Sequence, residues 1–86
     1  MNFKVFSVGL DWVEYIAAET AEEALAEHLR RADYKEHELQ DITVEEIPFE
    51  TEYRFENEQG TFDEMTFAEW LKDFKYEKPK LLCWQE

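Results

Sequence analysis

Two Thr-x-x-Glu sequences fix where this chain can begin its helices. Thr20 with Glu23, and Thr66 with Glu69, match the capping box, in which each side chain satisfies a free backbone N–H at a helix start. Apolar residues recur at helical spacing after each box, and the bulky stripe after the second box is Phe67, Trp70, Leu71 and Phe74. The pattern therefore predicts two helices, over about 20–32 and 66–75.

The segments outside the helices have strand patterns. Gly9 joins the first two strands, and Asn57 to Gly60 is a turn between the fourth and a short fifth strand. The predicted strands are 3–8, 12–18, 42–47, 50–56, 61–64 and 81–84. The order β-β-α-β-β-(β)-α-β predicts an α+β fold, with a small, mainly antiparallel sheet and two helices packed on it. At 86 residues, the chain is expected to form a single domain over 1–86.

The net charge of -13 limits the partners this chain can have. A small domain is comfortable with a charge of roughly 2 to 8 in magnitude, so this surface repels itself. Nucleic acids and anionic membranes attract basic proteins, so we expect neither to be bound directly. A basic partner is favoured. The single cysteine, Cys83, and a start without a signal or membrane-spanning pattern favour the cytoplasm.

Catalytic and metal-binding patterns are missing from the sequence. Two glycines cannot build a phosphate-binding loop, and His28, His37 and Cys83 share no metal-ligand spacing. His28 lies on the apolar stripe of the first helix, which favours a structural histidine. Cys83 lies in a strand, where a small buried thiol is common. We therefore predict no enzyme activity, no cofactor and no metal, with a small enzyme or metal protein as the least favoured alternative.

The acidic residues are concentrated in the middle of the chain. Residues 36–69 hold twelve acids and only one base, Arg54, whereas residues 70–86 have a net charge of +1. Side chains on one face of a strand repeat about every 6.8 Å, which is comparable to phosphate spacing along a nucleic acid. The predicted partner-binding residues are Glu45, Glu46, Glu50, Glu52, Glu56, Glu58, Asp63 and Glu64, with Tyr53 as an aromatic anchor. Phe55 and Phe62 are expected in the core, and a merely solubilising acidic face remains the alternative.

Size, charge and element order together resemble the small acidic proteins of phages and mobile elements. These include anti-CRISPR and anti-restriction inhibitors that mimic nucleic acid, and the stretch 18–25 is similar to many short phage and plasmid domains. The resemblance implies an inhibitor that docks its acidic middle on the basic nucleic-acid-binding site of a CRISPR effector or restriction enzyme. The alternatives are an immunity protein or antitoxin of a basic nuclease, and an adaptor that binds through aromatic side chains. Monomer and homodimer both stay open.

Overall fold

The computed structural model describes residues 2–10, 12–56 and 59–85, without the side chains of residues 55, 56 and 85. The strands are β1 (Lys4–Gly9), β2 (Val13–Ala18), β3 (Thr43–Ile47), β4 (Glu52–Glu56), β5 (Phe62–Thr66) and β6 (Lys80–Gln85). The helices are α1 (Ala21–Leu29) and α2 (Phe67–Trp70), and a 3₁₀ helix spans Glu36–Asp41. The fold is α+β, as predicted from the sequence, and the fifth strand is present.

The strands divide between two antiparallel sheets. The larger sheet has the order β3-β1-β2-β6, so β3 and β6 are its edges. Strands β4 and β5 pair only with each other and form a separate hairpin. Gly60 precedes β5 with a φ of 81°, in the left-handed region that glycine adopts without strain. The predicted turn residues Asn57 and Glu58 lie outside the described residues.

Side chains along β1 and β2 alternate between the two faces of the larger sheet. Both faces are covered, since apolar side chains pack on each. On one face, Phe6, Val8 and Ile16 pack against α1. On the other face, Phe3, Val5 and Ala17 pack against Phe67 and Leu71, with partly buried side chains of the hairpin around them. Strands buried on both faces need nearly continuous apolar sequence, which explains the composition of the first eighteen residues.

Both predicted helix starts are confirmed. The Thr20 hydroxyl accepts a hydrogen bond from the Glu23 N–H at 3.2 Å. At the second box, the Glu69 N–H donates to the Thr66 hydroxyl at 3.1 Å, and the Thr66 N–H donates to the Glu69 carboxylate at 3.5 Å. Each helix ends earlier than the apolar pattern predicts, α1 at Leu29 and α2 at Trp70.

Helix α2 ends at Trp70 because the residues that follow it pack against the core instead of continuing the helix. Phe74, the last member of the predicted stripe, meets the ring of Phe3 at 5.3 Å, and Tyr76 stacks on the same ring at 5.2 Å. The start of α2 is tied to the turn before β4, since the Phe67 N–H donates to the Thr51 carbonyl at 3.2 Å. These contacts attach the hairpin to the core cluster on its side of the larger sheet, which consists of Phe3, Val5, Ala17, Phe67 and Leu71.

Candidate partner-binding surface

The pairing of β4 with β5 gives the hairpin an inner and an outer face. Directly opposed residues in an antiparallel pair share a face. Tyr53 opposes Met65, and both belong to the core packing. Glu52 and Arg54 of β4 therefore lie on the outer face, where Arg54 opposes Glu64 of β5. This alternation confirms the predicted packed and wet faces at Glu52, Tyr53 and Arg54. Thr51, which the alternation also predicts on the packed face, is exposed.

We call this outer face, with the turn that leads into it, the acidic hairpin surface. It consists of Glu50, Glu52, Arg54, Phe62 and Glu64, all exposed. Glu50 lies in the turn before β4 and not in the strand itself. The backbone of Glu56 opposes Phe62 and so continues this face. The side chain of Glu56 and all of Glu58 lie outside the described residues.

The remaining predicted acids do not join this surface. Glu45 opposes Ser7 and Glu46 opposes Phe6, so these two neighbours point to opposite faces of the larger sheet. Glu46 also forms an ion pair with Lys4 at 3.4 Å. Asp63 is exposed, but its position in β5 alternates with that of Glu64. The predicted acids whose side chains the structure describes therefore lie on more than one face of the molecule.

Phe62, and not Tyr53, is the exposed aromatic ring of the acidic hairpin surface. Tyr53 is half-buried, with its ring 4.9 Å from that of Tyr15 and 5.6 Å from that of Phe67. Burial, with Tyr15 and Cys83 nearby, raises the pKa of Tyr53 to about 12. Phe62 is 53% exposed, so the expectation that it lies in the core is wrong. The side chain of Phe55 lies outside the described residues.

Arg54 contacts both Phe62 and Glu64 of this surface, and the sequence did not predict these contacts. Its guanidinium carbon lies 4.9 Å from the centroid of the Phe62 ring, within the range of a cation–π contact. Its Nε lies 3.8 Å from a carboxylate oxygen of Glu64, and both side chains are two-thirds exposed. One arginine thus interrupts the row of carboxylates and offsets part of its charge.

A buried polar network joins β2, α1 and the loop after α1. Glu14 and His28 are almost completely buried, and His28 Nδ1 donates to the Glu14 carboxylate at 2.7 Å. In the neutral imidazole, Nε2 then accepts the hydroxyl hydrogen of Tyr34 at 2.8 Å. Arg31 donates to both oxygens of Glu14, at 2.8 and 3.0 Å, and also pairs with Glu27. These hydrogen bonds link β2, α1 and the loop after α1, and they satisfy the polar groups buried between them.

The charges of this network are mutually stabilised. Burial alone would raise the pKa of Glu14, but the hydrogen bonds from Arg31 and His28 and the charge of Arg31 outweigh it, and the pKa lies below its usual value. The hydrogen bond to Glu14 in turn raises the pKa of Arg31. Within the described residues, every buried side-chain nitrogen and oxygen has a hydrogen-bond partner. The sequence located His28 correctly in the interior but gave no sign of Glu14 as its partner.

Among the described residues, His28 and Cys83 are not arranged as a base and a nucleophile that act together. Both ring nitrogens of His28 are engaged by Glu14 and Tyr34, so neither is available to Cys83. Burial raises the pKa of the Cys83 thiol to about 11, which keeps its reactive thiolate form scarce at neutral pH. In residues 2–10, 12–56 and 59–85, no group of three or more His, Cys, Asp or Glu side chains is placed to hold a metal ion.

No family model, curated protein or solved structure matches this chain. In the part of the chain that the structure describes, no helix is long and apolar enough to span a membrane. The aromatic stripe on which an adaptor would depend is largely packed away, since Phe67 is fully buried and Trp70 and Phe74 pack against the same core. The exposed surfaces of the chain, above all the acidic hairpin surface, are therefore the features that bear on its function.

Proposed function

We propose that this protein is a non-enzymatic inhibitor, which docks the acidic hairpin surface on the basic nucleic-acid-binding site of another protein. The observation that supports this most directly is the exposed ring of Phe62, on the same face of the hairpin as the carboxylates of Glu52 and Glu64. Exposed aromatic side chains are enriched at binding surfaces, where they supply buried area within a polar rim. The exposed part of the Phe62 ring is available for such a contact, beside the Arg54 guanidinium that lies over it.

Electrostatic attraction would speed the association of the two proteins and would let the carboxylates compete with nucleic acid for the basic site. Opposite fields on two proteins steer their association and speed it, and a site that binds phosphates carries the complementary charge. Carboxylates that occupy the site exclude nucleic acid without any turnover. A CRISPR effector or a restriction enzyme in the host cytoplasm is the target class that this chemistry fits, and a basic toxin nuclease would be engaged in the same way.

Competition with nucleic acid is the test of this proposal. The tagged protein would be incubated with nuclease-treated host lysate, and bound proteins would be eluted either with a salt gradient or with a short duplex of DNA or RNA. We expect a basic, nucleic-acid-binding protein that is released by both treatments, because salt screens exposed charges and the duplex occupies the same site. Retention of every partner in the presence of excess duplex would contradict the proposal.

Replacing Arg54 with glutamine should strengthen the complex. The substitution removes the one positive charge in the acidic hairpin surface and releases Glu64 from its ion pair. An exposed pair of this kind contributes little to stability, so the fold should be unaffected. We expect an affinity gain of about threefold to tenfold at low salt, measured by titration calorimetry with the purified partner.

Lys4→Gln is the matched control for the Arg54 substitution. It removes one exposed positive charge that also pairs with a carboxylate, Glu46, but on the larger sheet. An equal gain with both variants would show that only the net charge matters. An unchanged or weaker affinity with Arg54→Gln would show that Arg54 is part of the contact and that carboxylates alone do not drive binding.

A further inference from the structure

A cleft lies between the C-terminal end of α1 and residues 74–81, which lead into β6. Its volume is about 480 Å³, within the range of small-molecule sites. Most of the charged side chains that line it are basic, and they come from both of its sides. The basic lining residues are Arg30, Arg31, Lys75, Lys78 and Lys80. We call this feature the basic cleft.

Positive charge is concentrated in the basic cleft, although the chain as a whole is acidic. The chain has nine basic residues among 86, and five of them line the cleft, where the described lining residues include only two acids, Glu27 and Glu77. The lining therefore carries +3, and the rest of the chain carries -16. Exposed charges are screened beyond about 8 Å at physiological ionic strength. An anion inside the cleft is therefore governed mainly by the bases around it.

Three of these bases have no carboxylate as an ion-pair partner. Acids outnumber bases by 22 to 9 in this chain, so partners for a lysine are plentiful. In the part of the chain that the structure describes, however, Lys75, Lys78 and Lys80 form no ion pair. The Lys80 ammonium lies 5.8 Å from the centroid of the Phe74 ring, which also lines the cleft. The cleft thus holds three ammonium groups that are available to an anion.

The two arginines form the more rigid side of the cleft. Arg31 donates two hydrogen bonds to Glu14 and pairs with Glu27, which fixes its guanidinium in place. Arg30 donates to Glu27 at 2.9 Å through one nitrogen, and its side chain is 76% exposed. A guanidinium has five N–H donors, so Arg30 keeps several for a ligand. Arginine binds phosphate through such paired N–H groups, and lysine adds positive charge.

We propose that the basic cleft binds a small anion with two or more phosphate groups, such as pyrophosphate or the phosphate chain of a nucleotide. A ligand with several charges can contact bases on both sides of the cleft at once. The ligand is small, because a nucleic acid would extend from the cleft over a surface that is acidic elsewhere and would be repelled there. None of the described lining residues belongs to the acidic hairpin surface, so this site stands or falls independently of the inhibitor proposal.

Titration calorimetry of the complete chain with inorganic pyrophosphate, in the absence of divalent cations, tests the site. We expect one bound anion with a dissociation constant of about 0.1 mM. Sodium chloride at the same ionic strength gives the heat that comes from screening alone. In NMR spectra, the backbone N–H signals of Arg30, Lys75, Lys78 and Lys80 should shift with pyrophosphate, whereas those of the β4–β5 hairpin should not.

A parallel titration with ATP distinguishes the two sources of such a phosphate group. Equal affinities for ATP and pyrophosphate would show that the cleft recognises the phosphate groups alone. Tighter binding of ATP would show that the organic part of a nucleotide also contacts the apolar side chains of the cleft, Pro79 and Leu81.

A double variant, Lys78→Gln with Lys80→Gln, should raise the dissociation constant for pyrophosphate about tenfold or more, because it removes two charged contacts. Lys35→Gln with Lys72→Gln is the matched control, since it removes the same charge from two exposed lysines that are not among the described lining residues. We expect the control to lose less than about threefold. A dissociation constant for the unmodified chain above about 1 mM, or equal losses in the two double variants, would overturn the inference.

Discussion

A variant with Glu50, Glu52 and Glu64 all changed to lysine is expected to bind the proposed basic partner at least about 1000-fold more weakly. Each reversal replaces an attraction with a repulsion, and a loss of about 1.4 kcal/mol per site is a factor of ten in affinity. The three side chains are exposed, so the variant should keep its fold. Titration calorimetry at low salt gives the affinity, and circular dichroism with thermal unfolding verifies the fold.

Glu19, Asp33 and Asp41, all changed to lysine, provide the matched control. These three residues are exposed and lie outside the acidic hairpin surface. Each substitution changes the charge by two, so both triple variants carry -7 instead of -13. We expect the control to lose less than about tenfold, through the weaker long-range field alone. Equal losses in the two variants would assign binding to net charge, and full binding by the first variant would contradict the proposed surface.

Glu14→Gln should be the most destabilising polar substitution in the described network. It leaves His28 buried and removes the charge that Arg31 binds through two hydrogen bonds. Breaking a buried ion pair from one side costs about 3–5 kcal/mol, and because Arg31 is one-third exposed we expect about 3 kcal/mol. For a domain of this size that corresponds to a fall in Tm of about 12–24 °C. Urea unfolding, followed by tryptophan fluorescence, measures the change in unfolding free energy.

The effect of Glu14 should depend on pH with a definite sign. The pKa of Glu14 is lower in the folded protein than in the unfolded chain, so the unfolded chain takes up a proton first as the pH falls. The contribution of Glu14 is therefore fully present above the unfolded value of about 4.3, and it is lost as the pH falls through the folded pKa. The difference between wild type and Glu14→Gln should be constant near neutral pH and should shrink in acid.

Glu27→Gln is the control for this network. The Glu27 side chain is only 12% exposed, but its partners Arg30 and Arg31 are 76% and 32% exposed. Because both arginines reach solvent when Glu27 is replaced, we expect a loss of about 1 kcal/mol, smaller than that of Glu14→Gln. If Glu27→Gln and Glu14→Gln lost equal stability, the buried contacts of Glu14 would contribute no more than the partly exposed pairs of Glu27.

Local signals in the sequence predicted the elements of the fold, but not where they end. Thr20 and Thr66 start helices because an N-cap threonine bonds a backbone N–H only three residues away, and neighbouring sequence is enough to recognise it. The ends of α1 and α2 depend on contacts between distant residues, such as Phe74 with Phe3. The separation of the hairpin from the larger sheet also depends on such contacts, and they cannot be recognised from local patterns in a single sequence.

The candidate site was predicted in part. Alternation in β4 correctly separated Glu52 from Tyr53, because that strand has apolar residues at every second position. Alternation in β5 is ambiguous, since Phe62 shares a face with Glu64, and Asp63 shares the other with Met65. The opposite directions of Glu45 and Glu46 follow from their adjacency in a strand. The pairing of Glu14 with His28 could not be foreseen, because the two residues meet only when α1 packs on β2.

The separate backbone ladder of the hairpin has an evolutionary consequence. Most of the acidic hairpin surface lies on two strands that pair only with each other, so a substitution on their outer face leaves the register of the four central strands unchanged. If the acidic hairpin surface binds the partner as proposed, binding specificity and folding are encoded by largely different residues. A lineage under pressure from a changing target could then vary Glu52, Phe62 or Glu64 rapidly, while selection for folding preserves Val5, Ile16 and Phe67.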